Sequence, residues 1–166
     1  MDVALPTRRA TIRLAHAIAR ALAPGDLIVL GGGLGAGKTF LVRAMLRALG
    51  VPDEIPVPSP TFTLMNEYGA ECRARVPVLH ADLYRLLGAS DEDLEHEIAE
   101  LGIRARRGEG WAAIVEWGDD AFDALGGDGV RITISMERRG PRVAHLAGSG
   151  PRGVVLASAI ASPTQT

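Results

Sequence analysis

Apolar positions recur at helical spacing in two early stretches of the chain and run unbroken in two others. Over residues 8–23, RRATIRLAHAIARALA, Ile12, Ala15, Ala19 and Leu22 make one stripe, while Arg8, Arg9, Arg13 and Arg20 fall mostly elsewhere. That period predicts an amphipathic helix, stopped by Pro24-Gly25. Asp26 to Leu30 is a short apolar run and reads as a buried strand. A glycine-rich loop follows from Gly31 to Gly37, and KTFLVRAMLRALG reads as a second helix, with Leu41, Met45 (or Ala44) and Leu49 inward and Gly50 as its stop.

Residues 51–60 hold four prolines and are predicted to be loop. Thr61–Tyr68 and Val76–Leu83 alternate well enough for strands, Ser90 can cap a helix over Asp91–Leu101, and AAIVEW at 112–117 is a strong buried strand. A short helix is expected over Asp119–Leu125, then a hairpin of Val130–Met136 and Arg142–Leu146 across a turn at Arg139-Gly140-Pro141. The last five residues, SPTQT, read as frayed. Strands alternating with helices, followed by strands in sequence, predict a three-layer α/β sandwich whose mixed sheet has antiparallel strands near the C-terminus. Residues 1–150 are expected to form one domain, and 151–166 a C-terminal extension.

The chain has 166 residues, 47% hydrophobic and 23% charged, enough for one self-sufficient core. No run approaches the ~20 apolar residues of a membrane helix, and no apolar segment follows the early arginines as in a secretory signal. The single cysteine, Cys72, excludes an internal disulfide. A cytoplasmic, membrane-free protein is expected. The net charge of −2 excludes a broadly basic nucleic-acid binder; the clusters Arg104, Arg106, Arg107 and Arg138, Arg139, Arg142 read first as solvated faces rather than as tRNA contacts. The basic residues themselves are uneven. Of 18, all are arginine but Lys38. A compact ammonium is not replaceable by a planar guanidinium, so position 38 draws attention to itself.

It closes a motif. Gly32-Gly33-Leu34-Gly35-Ala36-Gly37-Lys38-Thr39 fits G-x-x-x-x-G-K-[ST], after an apolar strand and before an amphipathic helix. Glycines let backbone N–H groups approach phosphate oxygens, and the helix start adds open amides and the positive end of its dipole. Lys38 supplies a mobile charge for the outer phosphates and Thr39 a hydroxyl for Mg²⁺. A second acid should stand at the end of another buried strand; Glu116 and Asp82 both qualify, one as metal ligand and one to position water. His80 is either a general base or a packed core histidine, and Trp117 either core or a nucleotide neighbour. Guanine-reading N-K-x-D segments need a second lysine, so ATP is the expected nucleotide. The loop alone does not name the phosphoryl acceptor. A small-molecule or nucleoside kinase and a nucleotide-gated binding module remain alternatives to an ATPase.

Several segments together carry a family resemblance: LGGGLGAGKT at 30–39, SPTFTL at 59–64, HADLYRL at 80–86, LGIR at 101–104 and VEWGD at 115–119. In this order they resemble the TsaE (formerly YjeE) family, from about Leu5 to Leu146. The resemblance implies a P-loop ATPase that works with the TsaD and TsaB proteins, which place threonylcarbamoyl on N6 of adenosine 37 in ANN-decoding tRNAs. ATP hydrolysis resets that complex, and tRNA is reached indirectly. By position, Thr39 and Glu116 become Mg²⁺ ligands, and Gly35–Phe40 hold phosphates. Asp82 supports hydrolysis, Ser59 and Thr61 lie on a switch-like loop, and Trp117 flanks the nucleotide. Residues Thr7–Thr11, Thr11 among them, and a basic residue, Arg139 or Arg142, approach the base. Two departures stand out: Gly33 where the family has aspartate, and Phe40 where a hydroxyl residue is common. The first loosens the loop or removes a polar contact. Residues 90–101 are longer than is typical, and no contacts are carried over there.

Overall fold

A computed structural model describes residues 1–136 and 140–161. Its elements are β1 (Asp2–Leu5), α1 (Arg8–Ala21), β2 (Leu27–Gly31), α2 (Lys38–Ala48), β3 (Met65–Tyr68), β4 (Val78–Asp82), α3 (Asp91–Glu100), α4 (Ile103–Gly108), β5 (Ala112–Glu116), β6 (Gly129–Met136), β7 (Arg142–Ser149) and α5 (Gly150–Ala161). The seven strands form one sheet in the order β1-β7-β6-β2-β5-β4-β3. β6, β2, β5 and β4 pair in parallel; β7 pairs antiparallel with both β6 and β1, and β3 pairs antiparallel with β4. This is the expected mixed α/β sandwich.

The continuous apolar runs mark strands covered on both faces. Alternation then divides their side chains between two cores. Ile28, Leu30, Val78, Ala112 and Ile114 pack with α1, α2 and α5, while Leu27, Val29, Leu79, Ala81, Ala113 and Val115 pack with α3, α4 and the 121–125 turn. No helix of the described residues is long and apolar enough to cross a membrane.

The structure corrects several sequence readings. The buried face of α1 is Ala10, Thr11, Leu14, Ala15, Ile18 and Ala19, and Ile12 is exposed; the stripe is rotated from the one drawn through Ile12. Asp119–Leu125 is a chain of turns rather than a helix, closed by Gly126 and Gly127 at φ 117° and 66°. Thr61–Leu64 is turn, and the strand begins only at Met65. β1 was not foreseen. The hairpin is borne out, although Arg139 of its expected turn, Arg138 of the second arginine cluster, and SPTQT at 162–166 lie outside the described residues.

The segment set apart as an extension is helical as far as Ala161, with Leu156 and Ile160 buried in the first core. Pro151 is tolerated because it stands in the helix's first turn, where its missing N–H has no partner to lose. Gly153 is required because a Cβ there would strike the carbonyl oxygen of Gly129. Arg152 pins the helix to the sheet, donating from Nε to Asp26 Oδ1 (2.6 Å) and from Nη2 to Oδ2 (2.8 Å), with Asp26 only 2% exposed. Removing the guanidinium strands a covered carboxylate, but its own partial exposure softens the cost. Arg152→Ala should therefore lower the unfolding free energy by about 2 kcal/mol in urea titration.

Candidate nucleotide-binding site

The parallel strands β2, β5 and β4 all end at one edge of the sheet, where open α/β folds bind ligands. There β2 delivers the glycine loop, β5 delivers Glu116 and β4 delivers Asp82, opposite Glu116 in the strand register. The loop reverses through Gly32 (φ 116°), Gly35 (φ 75°) and Gly37 (φ 109°) into α2, whose N-cap, Gly37, offers no side chain to the first turn. The leading amides of α2 thus face outward with the dipole behind them, an anion site by construction.

Lys38 is 5% exposed. Its ammonium donates to the carbonyls of Gly32 (2.6 Å) and Gly33 (2.9 Å) and stands 3.5 Å from the centre of the Trp117 ring. Burial pulls its pKa below the ordinary lysine value, and Glu116, Asp82 and Asp119 oppose that shift. Trp117 takes a left-handed backbone (φ 59°), strained for a bulky residue, and its ring meets Tyr84 edge-on at 5.1 Å.

Glu116 is 2% exposed and both of its oxygens are engaged. Thr39 Oγ1 donates to Oε2 at 2.9 Å, and His80 Nε2 lies 2.9 Å from Oε1. Asp82 is held differently. Its Oδ2 accepts from Ser59 Oγ (2.7 Å) and Thr61 Oγ1 (2.8 Å), and its Oδ1 accepts from the Tyr84 amide (2.9 Å). The proline-rich loop is therefore tied to β4 through two hydroxyls.

A cavity of about 540 Å³ gathers Leu34, Gly35, Ala36, Gly37, Lys38, Thr39, Phe40, Ser59, Thr61, Asp82, Glu116 and Trp117 along one wall of the molecule, with Tyr84 added. Gly32 and Gly33 lie behind it as acceptors for Lys38. Thr11 and Arg142 line a neighbouring hollow of about 180 Å³ that shares Ala36, Gly37 and Phe40 with the first. Leu5, Arg8 and Ile134 complete the hollow, and the Arg8 guanidinium lies 5.8 Å from the Phe40 ring centre. Arg8 falls within the stretch Thr7–Thr11 expected near the base, whereas Ile134 and Tyr84 were missed in the sequence; of these two only Tyr84 had a signal, inside HADLYRL. His80 is fully covered and reaches Glu116 from behind, so it does not face the cavity as a general base would. Of the first arginine cluster, Arg106 pairs with Glu67 (2.8 and 3.0 Å) and Arg107 donates to the carbonyls of Gly25, Leu125 and Asp128.

Fold and loop together define a P-loop nucleotide-binding protein of the α/β class. The family model for "Threonylcarbamoyl adenosine biosynthesis protein TsaE" matches residues 5–143, and the chain belongs to the TsaE family. It is similar to tRNA threonylcarbamoyladenosine biosynthesis protein TsaE of Nostoc sp., 37% identical over 115 residues, covering 69% of this chain and 66% of the relative. The same-named protein of Mycobacterium tuberculosis is 35% identical over 121 residues, covering 73% and 70%. The chain thus spans about two thirds of the length of these relatives. A crystal structure of Bacillus subtilis YdiB superposes with a TM-score of 0.76 at 24% identity, covering 97% of this chain and 93% of that one, which shows the shared fold.

The loop geometry separates its glycines. A Cβ on Gly32 would strike the Ile134 carbonyl, whereas Gly33 has a negative φ and nothing within 4 Å of a built Cβ. Gly33→Asp, which restores the residue usual in the family, should fold with stability unchanged or raised by up to ~1 kcal/mol. Gly32→Ala should lower the melting temperature. Thermal melts of both variants check the contrast.

Proposed function

We infer that this chain binds ATP with Mg²⁺ in the 540 Å³ cavity. It hydrolyses the nucleotide slowly in support of threonylcarbamoylation of adenosine 37 in ANN-decoding tRNAs. Its companions are the TsaD and TsaB proteins, through which it reaches tRNA. The observation that carries the reading is the meeting of the Thr39 hydroxyl and the Glu116 carboxylate, 2.9 Å apart, at the head of α2 beside the only lysine of the chain.

The donor set fits a small hard cation. A hydroxyl and a carboxylate oxygen stand side by side, and among the described residues no group of three or more His, Cys, Asp or Glu forms a closed cage. Mg²⁺ is bound in this manner, through one or two protein oxygens with phosphates and water completing the shell. When bound it neutralises charge on the outer phosphates. The chain's own residues do the rest. Amides of Gly35–Phe40 cradle the phosphates, Lys38 moves its charge from the glycine carbonyls toward them, and Trp117 walls the site from the Tyr84 side. Thr11, Phe40 and Arg142 lie on the side where the base would rest.

Asp82 is the residue suited to orient the attacking water. In the present arrangement three donors already occupy its carboxylate. Releasing Ser59 and Thr61 frees Oδ2, so a partner that moves the loop would raise turnover. This gives the slow basal rate and its stimulation one physical cause.

Lys38→Ala should weaken ATP binding by roughly a hundredfold, about 3 kcal/mol, in calorimetry. Asp82→Ala should lower kcat by roughly a hundredfold with nucleotide affinity within about threefold. Addition of TsaD and TsaB should raise the wild-type rate. Phosphoryl transfer to an added nucleoside faster than hydrolysis would instead establish a kinase.

A further inference from the structure

Residue 80 lies mid-strand in β4 with no exposed surface. Alternation puts it on the face of Val78, and its registered neighbour on β5 is Ile114, both fully buried apolar residues. An imidazole here is desolvated on both ring nitrogens, which costs free energy unless each finds a partner. Only one does. Nε2 lies 2.9 Å from Glu116 Oε1, and Nδ1 has no hydrogen-bond partner among the described residues. An aliphatic side chain would fill this space without an orphaned nitrogen, so packing does not account for a histidine.

What histidine adds is a donor aimed at one oxygen. The contact is satisfied by the tautomer that carries its proton on Nε2, which donates to Oε1 and leaves Nδ1 as a bare lone pair. The strand register makes this specific. Asp82 stands opposite Glu116 and His80 opposite Ile114, so the imidazole reaches diagonally across one strand gap to the carboxylate two residues on. With Oε1 held from behind, the oxygen turned toward Thr39 is Oε2.

We propose that His80 is a positioning residue that fixes the Glu116 carboxylate from behind, so that Oε2 alone is presented beside Thr39 to the metal-bearing phosphate tail of a nucleotide. This rests on the reading of Glu116 as the metal-side acid. His80 itself touches neither nucleotide nor metal; it acts as the outer partner that orients a ligating group.

The test titrates wild type, His80→Met and His80→Gln with ADP by calorimetry, with and without Mg²⁺. Methionine fills the volume without a donor, and glutamine keeps an N–H. Without Mg²⁺ all three should bind within about twofold of one another. The gain in affinity on adding Mg²⁺ should shrink about tenfold in His80→Met and largely return in His80→Gln. In ATP turnover, His80→Met should lower kcat on the order of 10–100-fold with KM within about threefold. A wild-type Mg²⁺ gain in His80→Met overturns the proposal, as does an equal loss of affinity with and without the metal. The unaltered protein supplies an independent check. Its ¹⁵N-histidine spectrum should show His80 protonated at Nε2, and a ring protonated at Nδ1 overturns the assignment. Glu116→Gln separates the two levels: an undiminished Mg²⁺ gain in that variant removes Glu116 from the metal side, which is a failure of the underlying reading.

Discussion

A carboxylate with almost no exposed surface ties the site together. Glu116 ends β5, yet its side chain is bonded to the head of α2 through Thr39 and to the middle of β4 through His80. A buried carboxyl group is tolerated only when hydrogen bonds replace its water, and here each oxygen has a partner from a different element. The glycine loop is consequently anchored at both ends, by the β2 ladder on one side and by the Thr39–Glu116 bond on the other. This anchoring, together with the glycine turns of the loop, sets the position of the outward-facing amides relative to the strand-end acids.

The second acid works by contrast. Asp82 stands in register with Glu116 but takes its donors from a loop, not from the core. One carboxylate is therefore locked in place and the other is held by a segment free of regular structure between α2 and β3. Such a pairing suits the proposed ATP hydrolysis, with a fixed metal-side acid and a conditionally held acid to position water.

Much of this was legible in the residues. The P-loop has fixed spacing, the lone lysine sat inside it, the strand carrying Glu116 read as a plain apolar run, and the one carrying Asp82 was recognisable though less apolar. What escaped was non-local. β1 is four residues whose ladder partner, β7, lies some 140 residues away in sequence, so no local pattern announces it. α5 opens on Gly-Pro-Arg-Gly, which reads as a breaker; its helix depends on a close approach to Gly129 and on Asp26. Asp119–Leu125 has the composition of a helix, but it stays a run of turns that two glycines with positive φ, Gly126 and Gly127, bring to an end. His80 could be seen as chemically interesting, yet its partner could be found only once the sheet register was known.

The most direct measurement is a crystal structure with Mg²⁺ and a non-hydrolysable ATP analogue. The account predicts phosphates on the amides of Gly35–Phe40, the metal between Thr39 and Glu116 on one side and the nucleotide on the other, and the Lys38 ammonium turned from the Gly32 and Gly33 carbonyls toward the phosphates. A nucleotide bound away from the loop, or one bound there with its metal held by neither Thr39 nor Glu116, would contradict it.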